Sequence, residues 1–328
     1  MLIKPLNQCN ILVTPTSFAK YNKDYIYMLE SAVNKVTYNT TGRPLSEKDL
    51  IPLVEGIDGF IAGLDEITSN VIKAAGNLKV ISRYGTGVDR VDLKAARKAG
   101  IIVTNTPGAN SVSVAELTIG LAISAARNIP EGNTKTKSGL WPRFSGTSLS
   151  GKTFGIIGLG SIGKEVAKRL SCFNVKILAY DINFDGGFAS QYGIVYADTD
   201  RILTSSDFIS LHIPVFKETV NIINKKSLAK MKQGAILINT ARGELVDEDD
   251  LYESLKSGHL RAAALDAFKE EPPSPQNKLL NLQQVTAVPH MGAATDDASN
   301  EMTRISIEEC FAVLKGEMPK HTVVGTGL

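Results

Sequence analysis

The sequence predicts an α/β protein built from two doubly wound parallel-sheet lobes, and three features predict it. Short apolar, β-branched runs alternate with longer segments of helical periodicity. The runs are apolar throughout, as strands buried on both faces of a parallel sheet require. They also fall into two sets divided by a turn signal. The first set is Ile11–Val13, Gly59–Gly63, Val80–Ser82 and Ile101–Thr104. Between its members lie segments such as Asp92–Gly100, where apolar residues recur at helical spacing and a glycine closes the end. The second set is Thr153–Ile157, Val175–Tyr180, Phe208–Leu211, Ala235–Asn239, Ala262–Leu265 and Val285–Val288. Each set supplies one open sheet with crossover helices.

The boundary falls at Thr106-Pro107-Gly108, ahead of a long helical pattern from Ser113 to Arg127. Another helical pattern, from about Thr295 to Leu314, is expected to return to the first lobe. The expected domains are therefore 1–107 with 295–328, a discontinuous unit, and 108–294 inserted between them. The acidic run Asp247-Glu-Asp-Asp250 reads as the first turn of a helix that stops at Gly258, where acids favour the macrodipole.

Composition excludes several classes. Lys and Arg number 36 against 34 Asp and Glu, a net charge of +2, and no basic run suggests a nucleic-acid groove. No apolar stretch approaches the roughly 20 residues of a membrane helix. The apolar part of the N-terminus is too short for a signal peptide, so a soluble cytoplasmic protein is expected. Cys9, Cys172 and Cys310 are far apart and lack metal-ligand spacing, so neither a disulfide framework nor a metal site is expected.

One motif carries strong chemistry. Gly158-Leu-Gly160-Ser161-Ile162-Gly163 follows a predicted strand and opens the helical pattern Lys164–Leu170. The first glycine permits a tight turn, the second lets the backbone approach a pyrophosphate, and the third lets helix and strand pack closely. The helix N-terminus then favours the phosphate charge. Tyr180-Asp181 ends the next strand, about 20 residues on, where a carboxylate accepts from the ribose hydroxyls of a dinucleotide. A 2′-phosphate would meet Asp181 at close range, and Ile182-Asn183 offers no offsetting cation, so the cofactor reads as NAD.

Three charged residues end predicted strands of the second set: Arg242, Glu271 and His290. Arginine holds a carboxylate through two parallel bonds. Histidine titrates near neutrality and takes a hydroxyl proton as hydride departs, and a neighbouring carboxylate favours its protonated form. Spacing alone also allows a surface cation, a solvated loop acid and a polar strand end.

The motifs Arg83–Asp89, Asn105-Thr-Pro107, Val114-Ala-Glu116, Gly158–Gly163, His212-Ile213-Pro214, Asn239–Gly243, Leu265–Phe268, Glu271-Pro-Pro273 and Pro289–Ala293 run through nearly the whole chain. With them the sequence resembles the D-isomer-specific 2-hydroxyacid dehydrogenase family, in particular its D-3-phosphoglycerate dehydrogenase branch. The resemblance implies a Rossmann NAD-binding domain inserted into a flavodoxin-like catalytic domain, and a homodimer built mainly through the nucleotide domains. It implies that Arg242 orients the substrate, that His290 is the general acid/base and that Glu271 is its partner. Thr86, Ser161, Ile162, Asp181, Ile213, Thr240, Ala241 and Asp266 match NAD-contacting positions, alongside the motif residues His212, Pro214 and Gly292. Backbone groups around Gly63, Gly85 and Gly87 match the loops that receive the substrate. Trp141 matches an aromatic near the dimer contact, with a buried core tryptophan as the plainer alternative.

The resemblance favours D-3-phosphoglycerate, oxidised to 3-phosphohydroxypyruvate at the entry to serine synthesis. Arg83 is the expected phosphate partner in the first lobe, and Arg143 a second from the other subunit. Against it, Ile61–Thr68 lacks the arginine often found in that loop and places Asp65 where a phosphate would be repelled. The alternative is a hydroxypyruvate or glyoxylate reductase. Because the chain ends at Leu328, a regulatory domain giving feedback control by serine is not expected. A remoter alternative is an NAD-sensing binding protein, since transcriptional corepressors resembling this family keep the fold and the charged trio.

Overall fold

The computed structural model describes residues 4–325. Two compact units divide the chain: one ends at Asn110 and resumes at Ala294, and the other is Ser111–Ala293. The first unit begins with β1 (Asn10–Val13), α1 (Asp24–Ala32), β2 (Lys35–Tyr38), α2 (Glu47–Leu50), β3 (Gly59–Ala62), α3 (Ser69–Ala74), β4 (Val80–Arg83), α4 (Leu93–Lys98) and β5 (Ile102–Thr104). The second holds α5 (Ser111–Arg127), α6 (Ile129–Lys137), β6 (Thr153–Ile157), α7 (Ser161–Leu170), β7 (Lys176–Tyr180), α8 (Gly186–Tyr192), β8 (Ile194–Tyr196), α9 (Thr199–Ser205) and β9 (Phe208–Leu211). It continues with α10 (Lys225–Lys230), β10 (Ile236–Asn239), α11 (Glu248–Lys256), β11 (Ala262–Leu265) and β12 (Val285–Ala287). The chain then returns to the first unit as α12 (Asp296–Leu314) and β13 (Thr322–Val324).

The first sheet has the order β13-β5-β4-β3-β1-β2, parallel except for β13, which pairs antiparallel with β5. The second has the order β12-β11-β10-β9-β6-β7-β8 and is parallel throughout. Side-chain caps start the helices where the sequence places small polar residues. Thr68 accepts from the Asn70 and Val71 amides, Asp92 from Ala95, Asp247 from Asp250 and Thr295 from Ala298. The Asp247–Asp250 run is thus a capped helix start, and Gly258 follows in the left-handed region at φ +74°.

Three strands escaped the sequence reading: β2, β8 and β13. Each is three or four residues long, and each lies at a sheet edge where one face keeps some exposure. Their apolar runs are correspondingly short. The antiparallel β13 is also reached by a direct return from α12, which no crossover pattern signals.

The second sheet is packed on both faces. Phe154 of β6 and Phe208 of β9 are register partners, both buried, and their rings stack at 5.7 Å with planes 3° apart. They pack against α5 and α7, while Ile157, Leu211 and Leu237 face α9, α10 and α11. Phe154→Ala is expected to cost about 3–5 kcal/mol through lost burial and a residual cavity. A fall in the denaturation midpoint would register it, and an unchanged midpoint would mean that the stack is not holding the two central strands.

Candidate active site

The parallel strands of the second unit all deliver their following loops to one edge, where the sequence-predicted residues gather. β6 ends at Ile157, and the glycine turn leads directly into α7. Gly158 sits at φ +101°, and a Cβ there would lie 2.6 Å from the His212 carbonyl oxygen. A Cβ on Gly163 would lie 2.0 Å from the Gly158 oxygen, so helix and turn approach too closely for any side chain. Above Gly160 a Cβ would meet nothing within 4 Å. Gly160 is also the N-cap of α7, and no side chain caps the helix there. Open space above an uncapped helix start suits a pyrophosphate.

Asp181, at the end of β7, closes this turn. Its Oδ2 accepts from the Leu159 amide at 2.7 Å and its Oδ1 from the Asn183 amide at 2.8 Å. Each carboxylate oxygen keeps a lone pair for a ribose hydroxyl. Ile182 beside it is 86% exposed and supplies no charge. Turn, helix start and acid together fit NAD.

His212, Ile213 and Pro214 follow β9. His212 as a whole is half-buried, yet its Nδ1 is sealed without a partner and its Nε2 lies 3.0 Å from the buried Ser210 hydroxyl. Burial pushes its pKa down to about 3, so the ring is neutral near pH 7 and is no candidate for a titrating acid/base.

After β10, the buried Asn239 shapes the next turn. Its Oδ1 accepts from the Ala241 amide at 3.1 Å, and its Nδ2 donates to the Arg242 carbonyl at 2.8 Å. Arg242 Nη1 donates to the Ala241 carbonyl at 2.8 Å. A Cβ on Gly243 would fall 1.9 Å from the Phe268 carbonyl carbon, so only glycine lets the Arg242 turn lie against the loop that carries Glu271. Behind Thr240, the Thr118 hydroxyl of α5 donates to the Val114 carbonyl at 2.8 Å and stands 2.9 Å from Thr240 Oγ1. Ser113 Oγ donates to the Gly292 carbonyl at 2.6 Å. Sequence reasoning missed both α5 residues, whose only signal was polarity on the buried side of an apolar helix.

His290 follows β12 in the left-handed region at φ 47°, unusual for a residue with a side chain. The buried Asp266 holds this turn, accepting from the Met291 amide at 2.6 Å and the Gly292 amide at 2.9 Å. Burial pushes the Asp266 carboxyl up to about 6, against the downward pull of those amides and of His290. Both Glu271 oxygens lie 2.9 Å from His290 Nδ1, and Glu271 Oε1 also accepts from the Phe268 amide at 3.1 Å. A carboxylate only accepts, so Nδ1 carries the hydrogen and Nε2 is left to exchange a proton. The arrangement is a positioned imidazole with a charge partner, on the same sheet edge as a guanidinium and a nucleotide turn.

The first unit holds the remaining sequence-predicted residues, and here the structure corrects the reading. Asp65 is buried, not aimed at a ligand. It accepts from the Leu45 amide at 2.8 Å, the Gly63 amide at 2.8 Å and the Thr14 hydroxyl. Arg83 is 3% exposed. Its Nε donates to the Gly87 carbonyl at 2.9 Å, and its Nη1 to the Ala62 carbonyl at 2.7 Å and to the Gly63 carbonyl. Gly63 therefore has its N–H bound by Asp65 and Thr14 and its carbonyl by Arg83. The Gly85 N–H is also taken, donating to Thr106 Oγ1 at 3.0 Å, and the Gly85 carbonyl accepts from the Thr106 amide. The Thr86 and Gly87 amides keep no acceptor among the described residues, and the exposed Thr86 hydroxyl donates to Asn110 Oδ1 at 3.3 Å. Trp141, in the second unit, is 82% exposed, which removes the buried-core alternative.

Residues 119–292 match the family model of the D-isomer specific 2-hydroxyacid dehydrogenase, NAD binding domain. The chain is 44% identical over 283 residues to D-3-phosphoglycerate dehydrogenase of Methanocaldococcus jannaschii, covering 85% of this chain and 54% of that protein. It thus spans about half the length of that relative. It is 42% identical over 287 residues to hydroxypyruvate reductase of Thermotoga maritima, covering 86% of this chain and 93% of that one. The crystal structure of the TT0316 protein from Thermus thermophilus superposes with a TM-score of 0.86 at 36% identity, over 96% of this chain and 100% of that one. The chain belongs to the D-isomer-specific 2-hydroxyacid dehydrogenases, a family of NAD-dependent oxidoreductases. Its cofactor is NAD.

The Glu271–His290 contact has a measurable consequence. Glu271→Gln removes the carboxylate that accepts from Nδ1, so it is expected to lower turnover while leaving NADH binding unchanged. Steady-state kinetics and NADH titration test this, and unchanged turnover would separate Glu271 from the proton transfer.

Proposed function

We propose that the protein transfers hydride between a small D-2-hydroxy acid and NAD, with D-3-phosphoglycerate oxidised to 3-phosphohydroxypyruvate as its reaction. The observation that carries the reading is the Glu271–His290 pair at 2.9 Å, on the same sheet edge as the Gly158–Gly163 turn. In this reading Arg242 grips the substrate carboxylate through two parallel N–H bonds and so orients C2. His290 Nε2 accepts the hydroxyl proton during oxidation and returns it to the carbonyl oxygen during reduction. Glu271 keeps the imidazole in the required tautomer and stabilises its charged form. NAD, when bound, supplies the hydride acceptor at the substrate carbon. Asp266 assists by holding the turn that carries His290, and the Thr86 and Gly87 amides of the first unit are donors for substrate or cofactor oxygens.

A second reading, reduction of hydroxypyruvate or glyoxylate, is supported by the similarity to the Thermotoga maritima hydroxypyruvate reductase, of which the chain covers 93%. Leu140, Trp141 and Phe144, at 53%, 82% and 42% exposure, are large apolar side chains left in solvent, which supports a homodimer formed through the second unit. Among the described residues no single helix is long and apolar enough to cross a membrane.

NADH oxidation with a panel of 2-oxo acids tests the reading. Turnover is expected with NADH and much less with NADPH, and Asp181→Ala should narrow that gap by weakening NADH. Turnover should fall about 100-fold or more in His290→Ala, the usual scale for a positioned proton donor. Tight NADH binding without turnover of any 2-oxo acid would favour a sensor instead.

A further inference from the structure

His290 sits in a backbone conformation that a residue with a side chain rarely adopts, and such a turn persists only where its surroundings over-determine it. We propose that Ser113 of α5 is a positioning residue for His290, acting through the Gly292 carbonyl, and that the hydride-transfer step slows when its hydroxyl is removed. The inference rests on the reading above that His290 exchanges the substrate proton.

The N–H groups of the turn are met first. The His290 amide donates to the Val288 carbonyl at 3.1 Å, and Asp266 accepts from the Met291 and Gly292 amides. The carbonyl side is held from α5, where Ser113 Oγ donates to the Gly292 oxygen at 2.6 Å. A hydroxyl in a helix ordinarily returns its hydrogen to a carbonyl one turn back, as Thr118 does to Val114. Ser113, in the first turn of α5, has no such carbonyl within the helix and reaches a partner 179 residues away in sequence. Both Ser113 and Gly292 are buried, so bulk water would not replace the bond if it were lost.

Packing brings the same helix against the same turn. A Cβ on Gly292 would lie 3.0 Å from Asp266 Oδ2 and 3.3 Å from Val114 Cγ2, so α5 meets the turn through Val114 as well as Ser113. What the turn aims is the imidazole, whose Nδ1 lies 2.9 Å from both Glu271 oxygens. Without Ser113, the Asp266 bonds still fix the two amides but leave the orientation of the peptide after Gly292 to a residue with little resistance to rotation. A turn that relaxes there carries the ring away from its aim, and proton transfer is steeply sensitive to such misplacement.

Single-turnover oxidation of NADH by the full chain, with 3-phosphohydroxypyruvate and with hydroxypyruvate, tests the assignment. Ser113→Ala is expected to slow the hydride step about 10-fold while KM and NADH affinity stay within about threefold, because the Gly158–Gly163 turn and Asp181 are untouched. Ser113→Thr keeps the donor and should restore most of the rate, whereas Ser113→Cys keeps the size with a weak donor and should resemble alanine. Because Ser113 acts through His290, adding Ser113→Ala to His290→Ala should change the residual rate less than about twofold. The proposal is overturned if Ser113→Ala keeps the wild-type rate, if cysteine restores the rate as well as threonine, or if the loss is as large in the His290→Ala background, which would mark a purely structural role. No turnover of either 2-oxo acid by the wild type would count against the oxidoreductase reading itself. The imidazole nitrogen-15 spectrum then still decides the Ser113 bond: Ser113→Ala should move the His290 signals, and unmoved signals would overturn the proposal.

Discussion

Parallel pairing of β6, β7, β9, β10, β11 and β12 sends the C-terminus of every one of these strands to the same edge, and the chemistry of the second unit follows from that constraint. Residues as distant in sequence as Gly158 and His290 are brought to one sheet edge. The strands can be so parallel only because both faces of the sheet are covered, by α5 and α7 on one side and α9 to α11 on the other. Close approaches at Gly158, Gly163 and Gly243 then set how near the successive loops lie. Burial makes the sheet rigid, and the rigid edge positions Asp181, Arg242, Glu271 and His290.

The first unit obeys the same topology with a different use of charge. Arg83 and Asp65 are both buried; Asp65 bonds backbone groups of the loops after β2 and β3, and Arg83 those after β3 and β4. Leaving any of those donors or acceptors unmet would cost about 1–3 kcal/mol, so the two side chains fix loop shape before any ligand arrives. The Thr86 and Gly87 amides are left without an acceptor among the described residues.

Much of this was legible in the sequence because the signals were local. Continuous apolar runs announced the inner strands, and the Gly158–Gly163 turn with Asp181 announced the nucleotide site, since steric needs at single glycines leave a fixed spacing. The helix from Asp296 to Leu314 was legible as a helical pattern, and Thr295 caps it. Edge strands β2, β8 and β13 were not legible, because short half-covered strands have no distinctive period. The burial of Asp65 and Arg83 was equally hidden: a charged residue in a loop reads as solvated, and only the three-dimensional arrangement of backbone donors and carbonyls shows what satisfies it. Thr118 and Ser113, which support Thr240 and Gly292, lay inside a helical pattern whose polar members carried no motif.

The central claim is that Glu271 fixes the His290 tautomer and leaves Nε2 as the proton-exchanging atom. Nitrogen-15 NMR of the imidazole side chains in the NADH-bound protein measures this directly, with Glu271→Gln for assignment. The account predicts hydrogen on Nδ1 and a bare Nε2 in the neutral ring, with that preference lost in Glu271→Gln. Hydrogen on Nε2 in the neutral ring, with no change on substituting Glu271, would contradict it.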